Sequence, residues 1–162
     1  DGLFCFGNRE KKLHVMRDSC VGAYGVMGLI LVILLKYLFL LSLSETYTVP
    51  ALAIFPTISR WMMVYAVLFY PYSRKNGMGK AFLNQKTTVF IFASIIAMVV
   101  SYMCIGFAGL IILCGAFVVC YIFIQYLFKQ LGGMTGDTYG AVNEFSEVIV
   151  LSIFSILSFK IG

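Results

Sequence analysis

Residues 87–128 form an uninterrupted run of about 42 residues without Asp, Glu, Lys or Arg. One α-helix needs about 20 residues to cross the hydrocarbon core of a bilayer, so this run has twice the length that one span requires. Glycine favours turns, and Gly106 and Gly109 lie near the middle of the run. The run therefore predicts two membrane helices, over 87–105 and 109–128, joined by a short turn.

The composition of the whole chain also indicates a lipid environment. Hydrophobic residues make up 61% of the 162 residues, against about 45–50% in soluble domains. Three more apolar segments, 21–43, 50–70 and 140–159, are long enough to span a membrane. Pro50 and Pro56 predict an irregular first half for the second of them. The predicted fold class is all-α: a polytopic integral membrane protein with five transmembrane helices in one membrane domain.

Basic residues alternate between the predicted loops. The N-terminal segment, where residues 8–19 predict a short surface helix, the loop at 72–86 and the loop that begins with Lys129 all contain them, whereas 45–49 and the turn near Gly106 contain none. Because Lys and Arg mark cytoplasmic loops, we expect a multi-pass plasma-membrane protein with a cytoplasmic N-terminus and its polar segments on the cytoplasmic side. The net charge of +5 then follows from topology. The sequence contains no basic tract with interleaved aromatic residues, so it gives no indication of a nucleic-acid partner.

Acidic residues are scarce, and three of the seven lie in GGMTGDTYGAVNEFSE, residues 132–147. On a helix that begins near Asp137, Gly140, Glu144 and Glu147 share a face, and Asp137 lies two turns before Glu144 on the same side. These carboxylates repel one another unless a cation lies between them. Mg²⁺ binds through one or two carboxylates plus substrate phosphates, so the face indicates a magnesium site for a phosphate substrate. The alternative is a helix start whose acids complement the helix dipole and face water.

Two basic residues lie inside predicted spans, where an ionisable side chain is costly and often functional. Arg60 lies about ten residues into the second span and Lys36 about 15 residues into the first. Arg60 could hold phosphate through its two-pronged guanidinium, or it could snorkel to the membrane surface or pair with an acid. Lys36 could equally be functional or the structural partner of a buried acid or carbonyl.

Three blocks of the chain resemble the cobalamin synthase (adenosylcobinamide-GDP ribazoletransferase) family. The blocks are DGLFCFGNREKKLHVMRDSCVGAYG (1–25), SRWMMVYAVLFYPYSRKNGMGKAF (59–82) and LGGMTGDTYGAVNEFSE (131–147). MRDS-x-x-G and GG-x-TGDT-x-GA-x-x-E-x-x-E are the most specific motifs. The family's acidic DGL-x-D-x-x-DG run is represented only by its last two residues, Asp1-Gly2, so we expect the chain to be the C-terminal part of a longer protein. Cys20 replaces a residue that is often basic in the family.

The resemblance implies an Mg²⁺-dependent, lipid-embedded transferase of the last stage of vitamin B12 assembly. Such an enzyme joins adenosylcobinamide-GDP to alpha-ribazole or its 5′-phosphate and releases GMP. At the positions that the resemblance matches, we hypothesise three groups of site residues. They are the metal ligands Asp1, Asp18 and Asp137, the catalytic groups Asp137, Glu144, Glu147 and Arg60, and the substrate-binding residues Arg17, Ser19, Arg74, Lys80 and Thr135. Glu144 and Glu147 would serve as ligands or as a base for the ribazole nucleophile.

Two other functions share some of these features. A CDP-alcohol phosphotransferase also has an acidic magnesium motif that begins with DG, but its DG-x-x-AR spacing is absent here, since LFCFG follows Asp1-Gly2. A small transporter subunit would explain the charges of Lys36 and Arg60 inside spans. It would not explain why acids and phosphate-binding bases gather on one side of the membrane. The sequence contains no signal for an oligomeric state.

Overall fold

The computed structural model describes residues 1–3, 5–18, 20–73 and 86–161, without the side chains of residues 159–161. The predicted substrate-binding residues Ser19, Arg74 and Lys80 lie outside the described residues. Six α-helices make up most of the described chain. They are α1 (Arg9–Val15), α2 (Ala23–Leu41), α3 (Glu45–Phe69), α4 (Thr87–Ile105), α5 (Phe107–Leu131) and α6 (Gly136–Ile161).

Five of these helices, α2 to α6, are long and apolar enough to cross a membrane. Each has 19 residues or more, which suffices for a hydrocarbon core of about 30 Å. The prediction of an all-α protein with five membrane helices and a short N-terminal helix is confirmed. By the length and composition of its helices, the chain is a multi-pass membrane protein.

The long uncharged run forms the helical hairpin α4–α5. Gly106 alone separates the two helices, with a φ of +63° that favours glycine. Gly109 lies against the backbone carbonyl of Ser101, and a Cβ at position 109 would collide with it. The two glycines therefore serve different purposes, since one turns the chain and the other lets the helices approach closely.

The prediction of an irregular first half for the second span is wrong. Helix α3 is continuous and contains both Pro50 and Pro56. Membrane helices tolerate proline where neighbouring helices and hydroxyl groups compensate for the lost backbone bonds, because lipid offers no other partner to the backbone. Here α3 packs along α6, and this contact is more extensive than the contact between any other two helices. Its buried residues follow helical spacing: Ala51, Ile54, Ile58, Ser59, Met62 and Ala66.

Helix α6 packs against α2, α3 and α5. This arrangement places the polar first half of α6 between α2 and α3. The largest fully buried side chains come from α3, α5, α6 and the segment between α5 and α6. They are Ile54, Ile58 and Met62 of α3, Ile112, Ile124, Leu127 and Leu131 of α5, Met134 of the segment between α5 and α6, and Val142, Val150, Leu151 and Phe154 of α6.

The segment between α5 and α6 is joined to the end of α3 by backbone hydrogen bonds. The Ser73 N–H donates to the Met134 carbonyl and the Met134 N–H donates to the Pro71 carbonyl, both at 2.8 Å. Gly133 permits this contact, because a Cβ there would lie 2.7 Å from the Pro71 carbonyl oxygen. The same end of the bundle holds α1, whose Lys12 donates to the Gln130 side chain at 2.5 Å.

Candidate functional site

Three acidic residues from separate parts of the sequence line one cleft at the end of the bundle. Asp1, Asp18 and Asp137 surround a volume of about 370 Å³ between the N-terminal segment, the turn after α1 and the start of α6. Among the described residues that line this cleft, none is Lys or Arg. We call it the carboxylate cleft. It brings together the three residues that we hypothesised as metal ligands.

Asp1 is held in the carboxylate cleft by the start of α2. Its two carboxylate oxygens accept hydrogen bonds from the backbone N–H groups of Gly22, at 2.7 Å, and Gly25, at 3.0 Å. The positive end of the helix dipole favours a carboxylate at this position. A Cβ at either glycine would collide with the Asp1 carboxylate. Both glycines are therefore part of the site, and the sequence signal for them is their three-residue spacing at the start of the first span.

The other two carboxylates of the cleft belong to the turn after α1 and to the start of α6. Asp18 accepts a hydrogen bond from the Cys20 N–H at 3.0 Å, which orients its side chain in the turn after α1. Asp137 lies in the first turn of α6. That turn is capped by a reciprocal pair, in which the Thr135 N–H donates to the Thr138 hydroxyl at 2.7 Å and the Thr138 N–H donates to the Thr135 hydroxyl at 3.3 Å. Thr135 is fully buried in this cap, and its role in substrate binding stays a prediction.

The donor atoms of the carboxylate cleft suit magnesium, which takes oxygen ligands. Each carboxylate oxygen has two lone pairs, so Asp1 keeps acceptor capacity besides its two backbone hydrogen bonds. Within the described ranges, no three His, Cys, Asp or Glu side chains lie close enough together to hold one ion. The cleft thus offers the right chemistry for Mg²⁺, and its carboxylates have to move closer together to share an ion.

A second group of charges lies deeper in the bundle, between α2, α3 and α6. Lys36 pairs with Glu144 at 2.5 Å and with Glu147 at 2.6 Å, and Arg60 pairs with Glu147 at 2.8 Å. We call these four residues the four-charge cluster. Its two cations balance its two anions, which lowers the cost of placing charges at membrane depth. The cation expected between the acids of α6 is, in this structure, the Lys36 ammonium.

Burial differs strongly between the two acids of the four-charge cluster. The Glu147 side chain is 9% exposed, and it also accepts hydrogen bonds from the Ser59 hydroxyl at 3.2 Å and the Asn143 amide at 3.1 Å. The Glu144 side chain is 47% exposed. The Arg60 side chain is 57% exposed, and its guanidinium also donates to Ser59 and Asn143. Glu147 is therefore enclosed by donors, whereas Glu144 and Arg60 each keep an accessible surface.

The single acidic face predicted on α6 is divided between these two sites. Asp137 lines the carboxylate cleft, whereas Glu144 and Glu147 are not among the described residues that line it. Glu144 lies seven positions after Asp137, which corresponds to about 10 Å along a helix. The sequence did not distinguish a functional from a structural role for Lys36. In the structure Lys36 pairs with both glutamates and joins them. Arg17, predicted to bind substrate, is exposed beside Asp18.

Comparisons with known proteins agree with the resemblance seen in the motifs. The family model of cobalamin-5-phosphate synthase (CobS) matches residues 1–155. An adenosylcobinamide-GDP ribazoletransferase of Desulforamulus reducens is 39% identical over 152 residues, which are 93% of this chain and 61% of that protein. Proteins with the same name from Thermoanaerobacter sp. (strain X514) and Roseiflexus sp. (strain RS-1) are 38% and 33% identical over 157 residues, which cover 95% and 96% of this chain and 63% and 58% of theirs.

The chain spans about 60% of the length of the curated relatives that it matches. No solved structure gives a significant match. The matched region nevertheless includes every helix that contributes to the two charged sites, from Asp1 through most of α6. The chain belongs to the cobalamin-5-phosphate synthase family.

Proposed function

We propose that this chain forms part of an adenosylcobinamide-GDP ribazoletransferase, which joins adenosylcobinamide-GDP to alpha-ribazole or its 5′-phosphate and releases GMP. Membership of the family and the names of its relatives support this reaction. The observation that carries the proposal is the carboxylate cleft, because three acids from separate parts of the sequence line it at one end of a membrane bundle. Such a set suits the diphosphate of a nucleotide substrate with a divalent ion.

In the proposed reaction a ribose hydroxyl of the ribazole attacks the diphosphate phosphorus that carries the cobinamide. The bond from that phosphorus to the bridging oxygen breaks, GMP leaves with the bridging oxygen, and the hydroxyl proton passes to a base. Catalysis of this kind depends mainly on positioning the reactants and neutralising charge. The protein therefore needs fixed cationic and anionic groups around the diphosphate.

Asp1, Asp18 and Asp137 are the proposed ligands of Mg²⁺. When bound, the ion would neutralise negative charge on the diphosphate oxygens. The Gly22 and Gly25 amides hold the Asp1 carboxylate in a fixed orientation, and the cap of α6 fixes the backbone next to Asp137. Orienting groups of this type commonly determine how well a metal ligand performs.

The four-charge cluster supplies the remaining proposed groups. Glu144 is the candidate base, because nearly half of its side chain is exposed. Arg60 is a candidate phosphate ligand, because its exposed guanidinium is steadied by Glu147. Glu147 is mostly buried, and its proposed role is to orient Arg60 and Lys36. Substrate binding is completed by the residues proposed from the family resemblance, Arg17, Ser19, Arg74, Lys80 and Thr135.

We place the reaction at the cytoplasmic face of the plasma membrane. Helix α1 carries Arg9, Lys11 and Lys12 at the same end of the bundle as the carboxylate cleft. The excess of Lys and Arg in cytoplasmic segments supports this orientation. Membrane lipid is the expected surrounding of the exposed apolar side chains, which are frequent on α2.

The direct test uses the native protein in membranes with adenosylcobinamide-GDP, alpha-ribazole and Mg²⁺, and measures GMP. We expect GMP release that requires alpha-ribazole and is abolished by removing divalent ions with a chelator. GMP release that does not depend on ribazole, or its absence with all three components present, would contradict the proposal. GMP release that survives chelation would contradict the magnesium dependence alone.

A further inference from the structure

We propose that Lys36 is a positioning residue for the carboxylate cleft. Through Glu144 and Glu147 it sets the position of α2 along α6, and this in turn sets where Asp1 lies relative to Asp137. The inference rests on the proposed function for its activity assay, and it has a separate structural readout. Lys36 itself does not line the cleft among the residues described.

The apolar surface of α2 is only partly packed, through half-buried side chains such as Phe39 and Leu40 that lie against the hydrophobic core. None of the 19 residues of α2, all of them described, is buried. Its most extensive packing is against α6. Between membrane helices there is little hydrophobic driving force, since lipid tails are as apolar as leucine, so polar contacts and close packing decide how helices associate. The position of α2 therefore depends strongly on its polar contacts with α6, in addition to this partial packing.

Polar contacts between α2 and α6 occur at two levels beyond the cleft. Lys36 binds both glutamates in the second half of α2. At the opposite end from the cleft, the hydroxyls of Ser42 and Ser155 lie 2.7 Å apart, and the Ser44 N–H donates to the Ser158 hydroxyl at 3.0 Å. Hydrogen bonds to charged groups are stronger than neutral ones. Lys36 is accordingly the strongest of these contacts that hold α2 in register.

The position of α2 along α6 determines how far Asp1 lies from Asp137 in the carboxylate cleft. The first residues of α2 hold the Asp1 carboxylate through Gly22 and Gly25, while Asp137 belongs to the first turn of α6. A slip of one residue along a helix displaces it by about 1.5 Å. A misplacement of about 1 Å can lower a catalysed rate on the order of 100-fold. A small movement of α2 is therefore enough to impair the cleft.

The contacts of Lys36 favour positioning over direct substrate binding. Its ammonium has three N–H donors, and two carboxylates already bind it. Its side chain is 20% exposed, less than half the exposure of Glu144 or Arg60. At most one N–H of the Lys36 ammonium therefore remains for a substrate phosphate.

The first measurement compares Lys36→Met with Lys36→Arg in the native protein in membranes. Lys36→Met should lower ribazole-dependent GMP release by about 100-fold, and Lys36→Arg, which keeps the charge, should retain most of it. Ser42→Ala, which removes a neutral contact between the same helices, is the matched control and should change the rate by less than about threefold. Equal rates in Lys36→Met and the unmodified protein would overturn the proposal.

The second measurement restores the register without Lys36. Ser42→Cys and Ser155→Cys place two thiols where two hydroxyls now touch, and oxidation can join α2 to α6 there. In the Lys36→Met background, oxidation should return most of the GMP release, and reduction should remove it again. A disulfide that forms without restoring the rate would overturn positioning and assign Lys36 a direct role.

The rate of disulfide formation tests the position of α2 independently of the reaction. We expect the cysteine pair to cross-link about tenfold more slowly in the Lys36→Met background than in the protein that keeps Lys36. If Lys36→Met does not fold, the double variant Lys36→Met/Glu144→Gln keeps the cluster neutral and serves for the same comparison. Equal cross-linking rates would overturn the inference. Absence of GMP release from the unmodified protein would refute the proposed function and leave this structural comparison intact.

Discussion

The carboxylate cleft and the four-charge cluster use acids of the same helix in opposite ways. The cleft gathers Asp1, Asp18 and Asp137 at the end of the bundle, and none of its described lining residues is basic. In the cluster, Glu144 and Glu147 face two basic side chains at hydrogen-bond distance. The difference follows from the surroundings, because a charge at membrane depth needs a partner within the protein, whereas an acid at the polar end can accept an ion from water.

This comparison separates activity from stability. Substitutions in the carboxylate cleft should affect turnover and divalent-ion binding while leaving the bundle intact. Substitution of Glu147, the buried acid of the cluster, should first affect folding, because its removal leaves Arg60 without its carboxylate partner.

The largest expected effect is that of Asp137→Asn. It should lower ribazole-dependent GMP release by about 100-fold or more, since groups that balance charge in the transition state commonly contribute this much. Expression and membrane insertion should stay largely unchanged. Glu45→Gln, at the exposed start of α3, is the control for loss of a carboxylate elsewhere. Activity that survives in Asp137→Asn would show that Asp137 is not a ligand.

The next effect distinguishes the two glutamates of the cluster. Glu147→Gln should lower the free energy of unfolding by about 3 kcal/mol, because the buried carboxylate balances both Lys36 and Arg60. Glu144→Gln should cost about 1 kcal/mol or less, because its side chain is half exposed and Lys36 keeps its other partner. Thermal unfolding of the two variants in the same detergent gives the comparison. A larger loss of unfolding free energy in Glu144→Gln than in Glu147→Gln would show that Glu144, and not Glu147, is the acid that stabilises the cluster.

The smallest effect concerns the position of Asp1. Gly25→Ala places a Cβ against the Asp1 carboxylate, so we expect GMP release to fall about tenfold and the Mg²⁺ concentration needed for half-maximal rate to rise. Gly28→Ala, one turn further along α2, meets open space and should be neutral or stabilising by up to about 1 kcal/mol. Identical Mg²⁺ dependence in the two variants would remove Asp1 from the proposed ligands.

The membrane architecture could be predicted from the sequence because it depends on the length of apolar segments. The uncharged residues 87–128 required two helices, and Gly106 marked the turn between them. The irregular first half predicted from Pro50 and Pro56 was wrong. The local preference of proline against helix is overridden by packing along α6 and by the need to satisfy the backbone hydrogen-bonding groups in lipid.

The pairing of charges could be predicted only in part. The depth of Lys36 and Arg60 indicated that each had either a function or a partner, and pairing with an acid was one of the alternatives for both. The choice of Glu147 as the shared partner depends on the relative rotation and height of three helices, which no local pattern encodes. The contact of Asp1 with the start of α2 is made through the backbone amides of Gly22 and Gly25, which lie 21 and 24 positions after Asp1 in the sequence. Side-chain patterns carry no signal for such a contact.

The central claim is that the carboxylate cleft, and not the four-charge cluster, holds the divalent ion. Mn²⁺ prefers the same oxygen ligands as Mg²⁺, and its binding to the native protein in membranes can be counted by electron paramagnetic resonance. We predict that Asp137→Asn abolishes Mn²⁺ binding and that Glu144→Gln leaves it unchanged. Loss of Mn²⁺ binding in Glu144→Gln, with binding retained in Asp137→Asn, would contradict the account.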